Sequence, residues 1–493
     1  MLTGTIVVDR DFVIAPLDRR IFGTFVEHMG RCVYGGIYEP GHPTADANGF
    51  RQDVLALTRE LGATLVRYPG GNFLSGYNWE DGVGPKSQRP RRLDLAWGST
   101  ETNEFGTNEF MTWSKAAGVE PMLAVNLGTR GPDEARHLIE YCNHPGGTHY
   151  SDLRRAHGFD KPHDIKFWCL GNEMDGPWQI CQKTAVEYGR IAQETAKVMR
   201  WVDPGVQLTA CGSSHRGMPT YGHWEQEVLE RCFDHVDFIS LHQYFRNDAN
   251  DIKTYFAVLE DLDSFIKEVA AIADAVAAKR RSPKRIMLSL DEWNVWYKAH
   301  TPADLRKPAW PVAPRLIEEV YNFEDALIVG GVLITLMNNA DRVKAACLAQ
   351  LVNVIGAIMT EPGGPAWRQT IFHPFSQCSQ LGHGVVLRTS RDPRLDLLLA
   401  SVLYDEKSGR TTVFVLNRST TDDMQLSVEL RGLGHRKLVR ATELHHPDLK
   451  AENSRSAPNT VEPRKHTEAS VAGHHLQAKI RPLSWNVFVT ERS

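Results

Sequence analysis

Phe167-Trp-Cys-Leu-Gly-Asn-Glu173 is a short apolar run that stops on an amide and a carboxylate. Ile286-Met-Leu-Ser-Leu-Asp-Glu292 repeats the pattern further along the chain. Nearly continuous apolar runs suit parallel strands buried on both faces. The strands expected around these two cover residues 165–172 and 285–292, and similar runs occupy 21–27, 64–68, 122–126, 207–211, 238–244 and 331–337. Between them lie helical patterns. Val54, Leu57 and Leu61 recur at helical spacing, as do Leu138 with Tyr141 and Ala185 with Tyr188 and Ala192. Residues 252–278 read as a long helix with charges on one side. Strand and helix alternating eight times predict a (β/α)8 TIM barrel.

The texture changes after Gly384. Runs at 385–388, 397–404, 411–416, 424–430, 437–441 and 484–489 alternate in polarity and are separated by Gly, Pro, Asn, Asp and Ser. They predict a C-terminal antiparallel β-sandwich, with 447–463 as a long polar loop inside it. Residues 2–13 are also strand-like. Chain termini often lie close together, so this segment is expected to pair with the sandwich. The expected division is residues 1–17 as that strand segment, 18–383 as the catalytic barrel and 384–493 as the sandwich.

Composition narrows the function. Lys+Arg number 56 and Asp+Glu 60 among 493 residues, a net charge of −4. A basic domain for nucleic acid is absent, and no polybasic patch suggests a membrane surface. The first ten residues lack a basic n-region and reach Asp9 too early for a signal-peptide core. The apolar stretch 326–337 is too short to span a bilayer. Eight cysteines with no C-x-x-C pair read as free thiols in a reducing compartment. The expectation is a soluble cytoplasmic protein without nucleic-acid or membrane partners.

In a TIM barrel, chemistry sits at the C-terminal ends of the strands. The expected strand ends carry Glu27 and His28, Arg67, Asn126, Asn172 and Glu173, His242 and Tyr244, Asp291 and Glu292, and Asn338 with Asn339. Strands four and seven face each other across the ring. Glu173 and Glu292 therefore flank its mouth, as a glycosidic bond requires. A single rim glutamate is equally a helix cap or an ion-pair partner. The opposed pair is the stronger signal.

Phe167-Trp-Cys-Leu-Gly-Asn-Glu-Met-Asp-Gly-Pro-Trp178 and Ser289-Leu-Asp-Glu-Trp-Asn294 resemble the acid/base and nucleophile segments of family 51 glycoside hydrolases, the α-L-arabinofuranosidases. Gly35-Gly-Ile-Tyr-Glu-Pro40, Arg67-Tyr-Pro-Gly-Gly-Asn-Phe73, Tyr77-Asn-Trp-Glu-Asp-Gly-Val-Gly-Pro85, Leu95-Ala-Trp-Gly-Ser-Thr100, Asn338-Asn-Ala-Asp-Arg-Val-Lys344 and Leu348-Ala-Gln-Leu-Val-Asn-Val354 extend the likeness over nearly the whole chain. The resemblance implies a retaining, exo-acting enzyme. Glu173 would be the general acid/base and Glu292 the nucleophile. Glu27, Arg67, Asn72, Asn172 and Gln350 would bind sugar, Tyr244 would orient the nucleophile, and His242 and Trp296 would complete the pocket. It further implies arabinofuranosyl-containing oligosaccharides as substrates, no cofactor or metal, and a homo-oligomer, hexameric by family habit.

Each of these residues has a plainer reading. Arg67 serves equally to neutralise Glu27 or Glu292, Tyr244 and Trp296 to pack the core, and Asn72 to form a turn after two glycines. Gln350 reads as part of a helical run after strand eight. Trp97 and Trp178 are loop aromatics, equally packing or subsite walls. Cys181 and the His215-Arg216 pair depart from the family pattern, which puts aglycone preference in doubt. An endoglucanase or xylosidase of the same family is the enzyme alternative, and a non-catalytic carbohydrate-binding barrel is the other. Gly82-x-Gly84 lacks the context of a nucleotide loop. His144, His149, His157 and His163 lack metal-ligand spacing and read as surface histidines. Ser213-Ser214-His215 has no nucleophile elbow.

Overall fold

The computed structural model describes residues 2–296, 310–391 and 396–493. Eight parallel strands close into a barrel: Gly23–Phe25, Leu65–Tyr68, Glu120–Val125, Phe167–Leu170, Gln207–Ala210, Phe238–Phe245, Met287–Val295 and Val343–Ala349. They are numbered one to eight below. Leu65–Tyr68 and Phe167–Leu170 are buried at every position, and the second reads as an unbroken apolar run for that reason. Helices Gln52–Leu61, Pro132–Asn143, Ala185–Val202 and Ile252–Lys279 occupy the stretches with helical periodicity.

The eighth strand is not where the sequence pattern put it. Residues 331–337 lie inside the helix Phe323–Asn338, and Val343–Ala349 closes the barrel instead. That helix is buried from Phe323 to Met337. A helix covered on all sides has no polar face to reveal its 3.6-residue period. Asn338 and Asn339, expected at the active-site rim, end this helix at the opposite side of the barrel. Asn339 Nδ2 donates to Asp263 Oδ1 at 2.9 Å, and Asn338 Nδ2 to the Ala400 carbonyl at 3.0 Å.

The second unit is one curled ten-stranded sheet. Its spatial order is Arg464–Lys465, Arg436–Leu444, Ser484–Arg492, Arg410–Asn417, Leu398–Asp405, Val385–Arg391, Leu2–Pro16, Met424–Arg431, His475–Ile480 and Ala469–Ala472. Every neighbouring pair is antiparallel except Leu2–Pro16 with Met424–Arg431, which run parallel. Alternation along Arg410–Asn417 divides its side chains between two cores. Phe414 and Leu416 join the barrel core beside Trp485, whereas Val413 and Val415 join a second core with Ile6, Val8, Val428 and Phe488.

The polar stretch 447–463 is a loop that packs on the barrel. Phe323 N donates to the Ala451 carbonyl at 2.9 Å and Glu324 N to the Leu449 carbonyl at 3.1 Å. It thus satisfies amides at the start of the buried helix, which have no intrahelical partner. All eight cysteines are free, and seven are buried. No helix among the described residues is long and apolar enough to cross a membrane. His163 is not a free surface histidine: its Nε2 meets Asn108 Oδ1 at 2.8 Å, and burial lowers its pKa to about 4.

Candidate active site

Strand four delivers Asn172 and Glu173, and strand seven delivers Asp291 and Glu292. All four side chains are buried. Consecutive strand residues normally face opposite ways. The pairing of strand seven with strand six shifts between Ser289 and Glu292. Such a bulge re-aims side chains, and both Asp291 and Glu292 reach Arg67 and His242.

Glu173 has φ +44°, in the left-handed region. That conformation costs a residue with a Cβ about 1–3 kcal/mol and persists only where its surroundings fix it. Here His242 Nδ1 lies 2.9 Å from Oε1, and Trp178 Nε1 donates to Oε2. Burial raises the Glu173 pKa most. The bonds from His242 and Trp178 pull it back, and the nearby Glu292 charge pushes it up again. One oxygen of Glu173, one of Glu292 and a ring nitrogen of His242 all lie within 4.8 Å of one another.

Glu292 is held from two sides. Arg67 Nη1 donates to Oε1 at 2.8 Å and Tyr244 OH donates to Oε2 at 2.9 Å. The other arm of Arg67 donates to Asn172 Oδ1 at 2.7 Å. One guanidinium fork thereby sets the spacing between strands two, four and seven. Asp291 sits beneath: His242 Nε2 lies 2.9 Å from its Oδ1, and Arg67 Nε 3.8 Å from its Oδ2. Although burial opposes it, the charge of Arg67 and then the His242 bond hold the Asp291 pKa below its usual value.

Glu27 occupies the adjoining wall. Its Oε1 accepts from Phe73 N at 3.0 Å and from Trp97 Nε1 at 2.9 Å, and Oε2 from Gln350 Nε2 at 3.3 Å. A Cβ on Gly71 would lie 2.8 Å from Glu27 Oε2, so the glycine lets this loop come close. Burial, and next the charge of Glu292, raise the Glu27 pKa to about 8. Gln350 directly follows strand eight and is not part of a helix. The displaced strand assignment had hidden its place at the rim.

Asn72 is half-buried at the start of a 3-10 turn, with Oδ1 3.5 Å from Asn172 Nδ2. Trp296 follows strand seven and packs edge-on against Tyr244, with ring centroids 4.8 Å apart. All ten predicted site residues thus come together, linked by these bonds, the ring contact of Trp296 and the charge coupling of Glu27 to Glu292. Asp291, read from the sequence only as a strand end, and Trp97 and Trp178, read as equally packing or subsite walls, belong with them. Position next to Glu292 at the strand end was the available signal for Asp291.

Residues 57–262 match the family model described as α-L-arabinofuranosidase 1 domain, and residues 291–484 that described as α-L-arabinofuranosidase C-terminal domain. The chain is 54% identical to the intracellular exo-α-(1→5)-L-arabinofuranosidase 1 of Bacillus subtilis, with 99% of each chain covered. It is 50% identical to an exo-α-(1→6)-L-arabinofuranosidase of Bifidobacterium longum, over 97% of this chain and 96% of that one. A solved family 51 α-L-arabinofuranosidase from Bifidobacterium longum superposes with a TM-score of 0.93 at 42% identity, covering 99% of each chain. With opposed glutamates at the ends of strands four and seven and likeness along its whole length, this chain belongs to the α-L-arabinofuranosidases of glycoside hydrolase family 51.

Proposed function

We propose that the protein is a retaining, exo-acting hydrolase that removes terminal non-reducing α-L-arabinofuranosyl residues from arabinan- or arabinoxylan-derived oligosaccharides. The observation that carries the mechanism is the carboxylate spacing. Oxygens of Glu173 and Glu292 approach within 4.8 Å. Retaining enzymes hold their carboxyl groups about 5 Å apart, whereas inverting ones leave room for a water.

In the first step Glu292 attacks the anomeric carbon while the bond to the leaving oxygen breaks and Glu173 protonates that oxygen. In the second, water attacks the same carbon, Glu173 takes its proton, and Glu292 is released. Burial suits Glu173 to carrying the proton. Arg67 and Tyr244 hold the Glu292 carboxylate in place for attack. Asn172, Glu27, Gln350 and Asn72 offer amide and carboxyl groups to sugar hydroxyls. Trp97 and Trp296 offer apolar faces. The names of relatives support exo action and an intracellular site. They carry both (1→5) and (1→6) linkages.

The test is Glu173→Ala on aryl arabinofuranosides of graded leaving-group pKa. First-step kcat/KM should hold for the best leaving groups and fall by about 10²–10⁴-fold for poor ones. Equal loss across the series would overturn the acid/base role.

A further inference from the structure

The environment of His242 singles it out. Its Nε2 faces Asp291 Oδ1 at 2.9 Å and its Nδ1 faces Glu173 Oε1 at 2.9 Å. Both ring nitrogens are therefore engaged by carboxyl groups, and the ring has no N–H left for a sugar hydroxyl. The ring is buried, so water does not compete for these contacts.

Asp291 fixes one end of the ring. Its carboxylate is held charged by Arg67 and accepts hydrogen bonds only, so Nε2 carries the hydrogen of that contact. The remaining contact then has two states that differ by the position of one proton. In one, Nδ1–H donates to a charged Glu173. In the other, a neutral Glu173 O–H donates to the Nδ1 lone pair. Trp178 donates to the other oxygen of Glu173, which leaves Oε1 as the oxygen that exchanges a proton with the ring.

We propose that Glu173 and His242 share a single proton across the Oε1–Nδ1 contact, with Asp291 holding the far side of the ring, so that the pair is the general acid and His242 is its positioning and proton-holding member. This rests on the acid/base reading of Glu173. As the glycosidic C–O bond breaks and Glu292 bonds to the anomeric carbon, the shared proton leaves through Glu173 to the departing oxygen. His242 is then neutral, with Nε2–H on Asp291. When water attacks the glycosyl-enzyme, its proton returns through Glu173 to the pair, and the C–Glu292 bond breaks.

The charged groups around the pair are consistent with this balance. Glu292 Oε2 on strand seven lies 3.6 Å from Nδ1, Arg67 on strand two offsets Asp291 and Glu292, and Tyr244 on the same strand as His242 bonds to Glu292. Asp175 follows strand four and is occupied by Ser214, and Glu27 stands beyond Glu292. Burial draws the His242 pKa down, but the charge of Glu292 and the bonds to Asp291 and Glu173 outweigh it and bring it to about 10.

The experiment compares wild type, His242→Asn and Asp291→Asn on an activated aryl and an alkyl arabinofuranoside, with full pH profiles of kcat/KM. Loss of the shared proton should cost the alkyl substrate about 10²-fold while the activated one falls far less. The basic limb for the alkyl substrate should move to lower pH by about one unit or more in both variants, because it then reports Glu173 without its partner. If His242 were only a fixed cation beside Glu173, removing it would move that limb to higher pH. If it served Glu292, both substrates would lose equally. Either result, or an unmoved limb, overturns the proposal. Glu173→Ala in the same series separates the two readings. Leaving-group dependence there but not in His242→Asn would leave the acid/base role standing and remove the shared proton alone.

Discussion

Glu27 makes a pH prediction that belongs to one side chain. Its pKa is raised from 4.5 to about 8, mainly by burial. The folded protein therefore binds this proton more tightly than the unfolded chain. The group's penalty on stability is absent below 4.5, grows as pH rises, and is complete above about 8. Glu27→Gln cannot ionise, so its melting temperature should fall less than that of wild type across this interval. Parallel pH profiles would show that Glu27 ionises normally. At this scale the sequence was legible where chemistry sits at a strand end. Glu173, Glu292 and Arg67 could be found that way, and Gln350 only through family likeness. Asp291 was read at the end of strand seven, but that it shares Arg67 and His242 with Glu292 depends on a bulge that breaks the strand's alternation.

The buried helix Phe323–Asn338 explains both the main error of sequence reading and a packing requirement. Its apolar residues face the barrel on one side and the curled sheet on the other, so nothing in their spacing separates helix from strand. The seven strands whose apolar runs are short and bounded by turns were placed close to their true positions. Two glycines let the helix sit this tightly. A Cβ on Gly330 would lie 2.7 Å from the Trp485 ring, and one on Gly331 2.5 Å from Leu259. Gly330→Val should therefore destabilise the protein by about 1–3 kcal/mol through overpacking, read as a lower urea midpoint with an unchanged slope. An unchanged midpoint would mean that the helix can shift away from the sheet at little cost.

At the scale of the molecule, the chain's first strand is built into its last unit. Leu2–Pro16 lies between Val385–Arg391 and Met424–Arg431, and Ile6 and Val8 enter the second core. The alternating pattern at both ends of the chain made that sheet readable. The hairpin of Ala469–Ala472 and His475–Ile480 was missed, although Leu476, Ala478 and Ile480 alternate with polar residues and enter the second core. The sheet packs against the buried helix on the barrel's flank, and the barrel's parallel closure brings the ends of strands four and seven, three places apart in the ring, to one mouth. The central claim is that this closure sets Glu173 and Glu292 at the spacing for two displacements at one carbon. Proton NMR of an aryl α-L-arabinofuranoside during early turnover tests it most directly. The account predicts that α-L-arabinofuranose appears first and then mutarotates. First appearance of the β anomer would contradict it.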